Sequence, residues 1–209
     1  MESKPRVLEY TVWAVLALVT LGIASAFFWS RFNARPPLPV YGQLDNFVLT
    51  NQTGEAVSLR MLRGEVWLAD VIFTRCAGPC PKMSAMMAEL SKELAEYSSL
   101  RLVSLTADPA FDTREVLSRY AQEFGAQPDR WFFLTGPKVE INRLAINSLK
   151  LAVVEKEEAE RTDPADLFIH STLIALVDGR GQLRGFFAAL EPGAKEKIVT
   201  AVKTLLKDP

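Results

Sequence analysis

The chain has 209 residues, a formal net charge of -1, 49% hydrophobic and 23% charged residues, the proportions of a packed domain and not of a disordered chain. No clustered basic run offers the positive footprint that nucleic acid needs, so that class is excluded. Two cysteines and one histidine are too few for a disulfide-rich scaffold, and they enumerate every thiolate or imidazole ligand in advance.

Residues 1–10 form a short tail. From 11 to 30 the sequence TVWAVLALVTLGIASAFFWS carries no charge and reaches about the 20 residues that span a bilayer core. Trp13 at one end and Phe27, Phe28 and Trp29 at the other suit an interface belt. A buried core helix would show a polar face, and this stretch has none. Ala24-Ser25-Ala26 resembles a cleavage site, but the apolar run is long for a signal peptide. The reading is an uncleaved, single-pass anchor. Lys4 and Arg6 face Arg31 and Arg35 across it, so charge does not set its orientation. The default for such an anchor puts the short tail inside and the large domain outside. Residues 31–40, with Pro36, Pro37 and Pro39, read as a semi-rigid linker, and 41–209 as the folded domain.

That domain opens with a hairpin expected over 47–59, turning at Asn51 to Gly54. VWLADVIFT (66–74) is a nearly continuous apolar run, the mark of a strand buried on both faces. Cys76 and Cys80 follow at once, in FTRCAGPCPKMS. A helix is expected from Pro81, where a first-turn proline is tolerated, with Met83, Met86, Met87, Leu90 and Leu94 on one stripe. The methionines are soft donors near the thiols, but their spacing favours packing. A strand at 100–108, a helix at 113–125, a short strand WFFLTG, a helix at 138–151, a hairpin over 171–190 turning on Asp178 to Gly181, and a final helix at 192–207 complete the pattern. Strands alternating with helices give an α/β layered sheet, in the order of a thioredoxin-like fold with an N-terminal β-hairpin.

Both cysteines then lie at a helix N-terminus, where free N–H groups and the dipole favour thiolate. Disulfide exchange and metal binding both use such a thiolate, and the residues leave both open. The C-x3-C spacing is one residue longer than a thioredoxin-type pair, which lets two sulfurs converge on one ion. His170, just before a strand, is distant in sequence but in this fold falls beside the cysteine loop. A lone histidine is more often structural, yet two thiolates and an imidazole form a soft set suited to Cu(I), or to Cu(II) with an oxygen donor. A closed zinc site wants a fourth protein ligand, and neither a third Cys nor a second His exists.

FTRCAGPCPKMS, ADPAFDTREVLSRYAQEFG, WFFLTG and IHSTLIALVDGRGQLRGFF together resemble the Sco/SenC family of membrane-anchored, thioredoxin-like copper proteins. The resemblance covers residue 44 to the C-terminus. It implies copper delivery to the copper centre of cytochrome c oxidase, with that enzyme's copper-bearing subunit or its assembly factors as partners. It also implies a place in the bacterial inner membrane with the soluble domain in the periplasm. By position, Cys76, Cys80 and His170 are the implied copper ligands, and a thiol-disulfide reductase using Cys76 and Cys80 is the alternative the family allows. Three departures stand out: Ala77 where proline is usual after the first cysteine, Ile169 where aspartate usually precedes the histidine (Asp166 lies upstream), and Asn142 where an aspartate is common. They leave the ligands intact and bear on the hydrogen bonds around them.

Other readings weigh less. A peroxiredoxin-like peroxidase lacks its single-cysteine context, and a purely structural disulfide would show neither metal nor redox activity. Asp70 is either an acid beneath the cysteine pair or a residue at a sheet edge or bonded locally. Asp108 and Asp112 are expected as a turn and a cap for the helix at Thr113. EKEEAER (155–161) is expected to be a solvated excursion, or else an acidic partner-binding loop.

Overall fold

The computed structural model describes residues 6–33, 37–160 and 167–207, and the chain divides into two units, Met1–Pro37 and Leu38–Pro209. The first holds a single helix, α1 (Arg6–Asn33). Within it, Glu9–Trp29 is long and apolar enough to cross a membrane, and its large side chains are exposed along that length. The helix runs past the expected end at residue 30, into what the sequence reads as linker.

The second unit is a six-stranded mixed sheet. Its strands are β1 (Gly42–Gln43), β4 (Val66–Ile72), β5 (Leu100–Thr106), β6 (Trp131–Leu134), β9 (Leu173–Val177) and β10 (Gln182–Ala188). Their order is β1-β10-β9-β4-β5-β6. β4 is central because every one of its seven residues is buried, which only a strand covered on both faces tolerates. It runs parallel to β5 and antiparallel to β9. α2 (Pro79–Glu93) links β4 to β5, and α3 (Arg114–Glu123) links β5 to β6. The expected N-terminal hairpin is β2 (Val48–Thr50) with β3 (Ala56–Ser58), its turn stabilised by the Asn51 side chain, which accepts from the Thr53 and Glu55 N–H groups.

Two segments differ from expectation. The single helix predicted at 138–151 is α4 (Lys138–Asn142) followed by a π-helical stretch, Arg143–Ser148. Both keep Ile141, Leu144, Ala145 and Ser148 buried, so the apolar spacing alone does not separate α from π. Past it, β7 (Val153–Glu155) pairs antiparallel with β8 (Phe168–His170). The acidic excursion therefore begins inside a ribbon, and Glu155 meets Lys138 there. α5 (Ala194–Lys207) closes the chain over β4 and β10.

Candidate metal and redox site

Two adjacent parallel strands, β4 and β5, end side by side, and the candidate site grows from those carboxyl ends, where α/β sheets place their ligands. The Ala107 N–H donates to Ile72 O at 2.8 Å, joining the strand ends. Beyond Ile72 the chain turns through Phe73, Thr74 and Arg75, and the Cys76 N–H donates back to Phe73 O at 3.1 Å. α2 starts two residues before the expected Pro81, with Gly78 as N-cap and no side-chain cap. Cys80 thus sits in the first turn and Cys76 in the loop ahead of it.

The two thiols are reduced, Cys80 buried and Cys76 half-buried, and their side chains hydrogen-bond to each other. The Cys80 thiol is pushed well up from its ordinary value of 9.0. The bond to Cys76 is the largest cause, burial comes next, and the Cys76 and Asp70 charges add to both, while a bond from the Phe73 backbone opposes them. This corrects the expected helix-end thiolate at Cys80. Pro79 and Pro81 both stand in the first turn, so two of the N–H groups that would stabilise an anion are missing. The bond to Cys76 and burial thus favour the protonated form of Cys80.

Asp70 is fully buried in the centre of the sheet, opposite Ser104 of β5, so it is not an edge residue. Behind Cys80 on α2, the buried Ser84 hydroxyl meets the Tyr120 hydroxyl of α3 at 3.0 Å. Burial raises the Tyr120 phenol, with Ser84 opposing and the charges of Cys80, Asp70 and Cys76 adding to the rise. Met83 and Met87 are buried in the core, as their helical spacing predicts.

The backbone of His170 pairs with Val153 in the β7–β8 ribbon. That ribbon leads directly into β9, whose Leu173 end lies beside the cysteine end of β4. The ring of Phe168 packs edge-on against Phe73 at 5.2 Å between centroids, so β8 sits against the start of the cysteine loop. Among the described residues no group of three or more His, Cys, Asp or Glu side chains gathers around one point; for His170 the described part is its backbone. Asp166 lies outside the described residues.

Sequence reasoning missed what holds the loop. Asp108 and Asp112 both turn toward residues ahead of Cys76, and Thr113 is the N-cap of α3, accepting from the Val116 N–H. A signal was present: ADPAFDT follows one parallel strand as FTRC follows its neighbour, and loops at such ends meet.

The SCO1/SenC family model matches residues 41–207. The SCO1 protein homolog of Bacillus subtilis is 35% identical over 192 residues, 91% of this chain and 96% of its own length. The solved structure of BsSco, described as a Sco family cytochrome c oxidase assembly protein with a disulfide switch, is 35% identical with a TM-score of 0.69, covering 81% of this chain and 98% of that one. Arabidopsis thaliana ScoI, solved with copper bound, has a TM-score of 0.66 at 21% identity over 80% of this chain and 100% of its own, and that likeness speaks for the fold. The thioredoxin-like sheet, the cysteine loop at its carboxyl end and these matches together place the chain in the SCO1/SenC family.

Proposed function

We propose that this protein is a membrane-anchored copper carrier that delivers copper to, or matures, the copper centre of cytochrome c oxidase, holding the ion through Cys76, Cys80 and His170. The observation that carries it is the pairing of the two sulfurs at the end of β4 with the strand bearing His170 packed on the same loop through Phe73 and Phe168. Family membership and relatives described with copper and with oxidase assembly support it. Soft thiolates suit Cu(I), and an imidazole extends the set toward Cu(II). Binding expels the thiol protons, and transfer proceeds by exchange of these ligands for those of the acceptor. The apolar span Glu9–Trp29 holds the domain at a bacterial inner membrane, with the domain on the periplasmic side.

The test is metal content of the full chain in detergent, reduced, copper-loaded and desalted. The parent retains copper in a one-to-one ratio, while Cys76→Ala and His170→Ala lose it with an unchanged circular dichroism spectrum. Equal retention by the His170 variant would remove that residue from the site.

The asymmetry of the pair favours a second reading, a thiol-disulfide oxidoreductase. Cys76, the more accessible sulfur, attacks a partner disulfide, forming a mixed disulfide and releasing one partner thiol. Cys80 then attacks the Cys76 sulfur, closing the internal disulfide and releasing the second thiol. Two protons and two electrons pass to the partner, and an external dithiol restores the pair. In Cys80→Ala the mixed disulfide on Cys76 accumulates; a chain that never forms it has no such activity.

A further inference from the structure

Thr74 and Arg75, the two residues that lead into Cys76, are each held by a different carboxylate of the turn after β5. Asp112 is fully buried. It accepts from the Thr74 N–H at 3.2 Å, from the Thr74 hydroxyl at 2.5 Å and from the Thr106 hydroxyl at 2.5 Å. Asp108 pairs with the Arg75 guanidinium at 2.5 Å, and the same guanidinium lies 4.1 Å from the Phe111 ring centroid. The turn is itself closed, with the Asp112 N–H donating to Asp108 O at 2.8 Å and the Asp108 N–H to the Thr106 hydroxyl at 2.9 Å. Thr106 ends β5, so the network is rooted in the sheet.

We propose that Asp112 and Asp108 are positioning residues, which act through Thr74 and Arg75 to set where the loop presents the Cys76 sulfur. Residues 73–78 have neither helix nor strand to fix them. Holding two consecutive residues at separate points fixes both the place of the loop and its rotation at the next residue. A carboxylate suits the buried point because it is acceptor-only and has room for three donors, whereas an amide would turn an NH2 toward some of them. A partly exposed pair such as Arg75–Asp108 contributes little stability, so its use lies in direction. The inference rests on the reading that the cysteine pair is the working part of the molecule, and it holds for metal and disulfide chemistry alike.

The experiment uses the full chain in detergent micelles, metal-free, as parent, Thr74→Val, Thr74→Ser and Asp112→Asn. Two quantities are read. The first is the midpoint potential of the Cys76–Cys80 couple in glutathione buffers, where the two thiols give two electrons and two protons to glutathione disulfide and form two glutathione thiols. The second is the rate at which iodoacetamide labels Cys76, separated from Cys80 by fragment mass. Thr74→Val, close in shape but without the hydroxyl, shifts the potential and labels roughly fivefold faster, the gain in loop opening expected from one lost hydrogen bond. Thr74→Ser returns both to parent values, which general destabilisation would not do. Asp112→Asn moves both in the same direction, and if it does not fold the threonine pair carries the test. Unchanged potential and labelling in Thr74→Val would overturn the proposal. A parent that binds no copper would sink the carrier reading alone, since labelling reports the loop in any case.

Discussion

At the scale of single residues, two buried acid groups near the site have their proton affinity raised, Asp112 chiefly by burial and Cys80 chiefly by its bond to Cys76. Asp112 has its carboxyl held above the ordinary 3.8, with burial as the largest cause, the Thr106 and Thr74 bonds opposing it and the Asp108 charge adding to it. A carboxyl whose folded pKa is raised binds its proton more tightly when folded. It therefore contributes stability that is full below pH 3.8 and is lost as pH climbs through the raised folded value. In Asp112→Asn that contribution vanishes, so the parent loses more stability than the variant as pH rises above 3.8 in urea titrations. Parallel pH profiles for the two would show that Asp112 ionises normally. Cys80 is raised as well, since the bond to the neighbouring thiol, followed by burial, outweighs a helix end weakened by two prolines.

At the scale of elements, β4 is the clearest case of sequence dictating placement. A run that is apolar at every position but Asp70 has no solvated face to offer, so it goes to the middle of the sheet and sets the cysteine loop at that strand's carboxyl end. The β7–β8 ribbon is the opposite case. It lies outside the main sheet, its strands are three residues each, and it meets the cysteine loop through the contact between Phe73 and Phe168. A double-mutant cycle of Phe73→Leu and Phe168→Leu should give a coupling of about 0.5–1.5 kcal/mol in urea unfolding. No coupling would mean that the ribbon is seated by other contacts. The π-helical stretch Arg143–Ser148 was unreadable for a similar reason: the residues it buries repeat at three and four, as an α-helix would repeat them.

At the scale of the whole molecule, the folded unit begins at Leu38, and an arginine of β10 fastens that beginning. Arg184 donates to Pro39 O at 3.1 Å and to Leu38 O at 2.5 Å while pairing with Asp178 at 2.6 Å. The Arg184 and Asp178 side chains are largely buried, so the two carbonyls satisfy donors that water reaches poorly. A fragment starting at Leu38 should fold without detergent, and one starting at Gly42 should be less stable by about 1–3 kcal/mol, the cost of leaving a buried polar group unpaired. Equal urea midpoints for the two fragments would make this fastening irrelevant to stability.

The properties legible in the linear chain are those set by neighbours in sequence. They are the apolar span of Glu9–Trp29, the central strand Val66–Ile72, the helix behind the cysteines, the hairpin turn at Asp178 to Gly181 and the small inventory of thiols and imidazole. Periodicity and turn chemistry report local backbone preference, and these elements follow local preference closely. Tertiary structure decided the rest. Asp112 reads locally as part of a helix cap, and only the parallel pairing of β4 with β5 brings it to Thr74. The Cys80 proton, the burial of Asp70 and the seating of β8 against Phe73 likewise arise from groups far apart in the chain. Burial and the local field depend on what surrounds a group in space, and no window of sequence contains those surroundings.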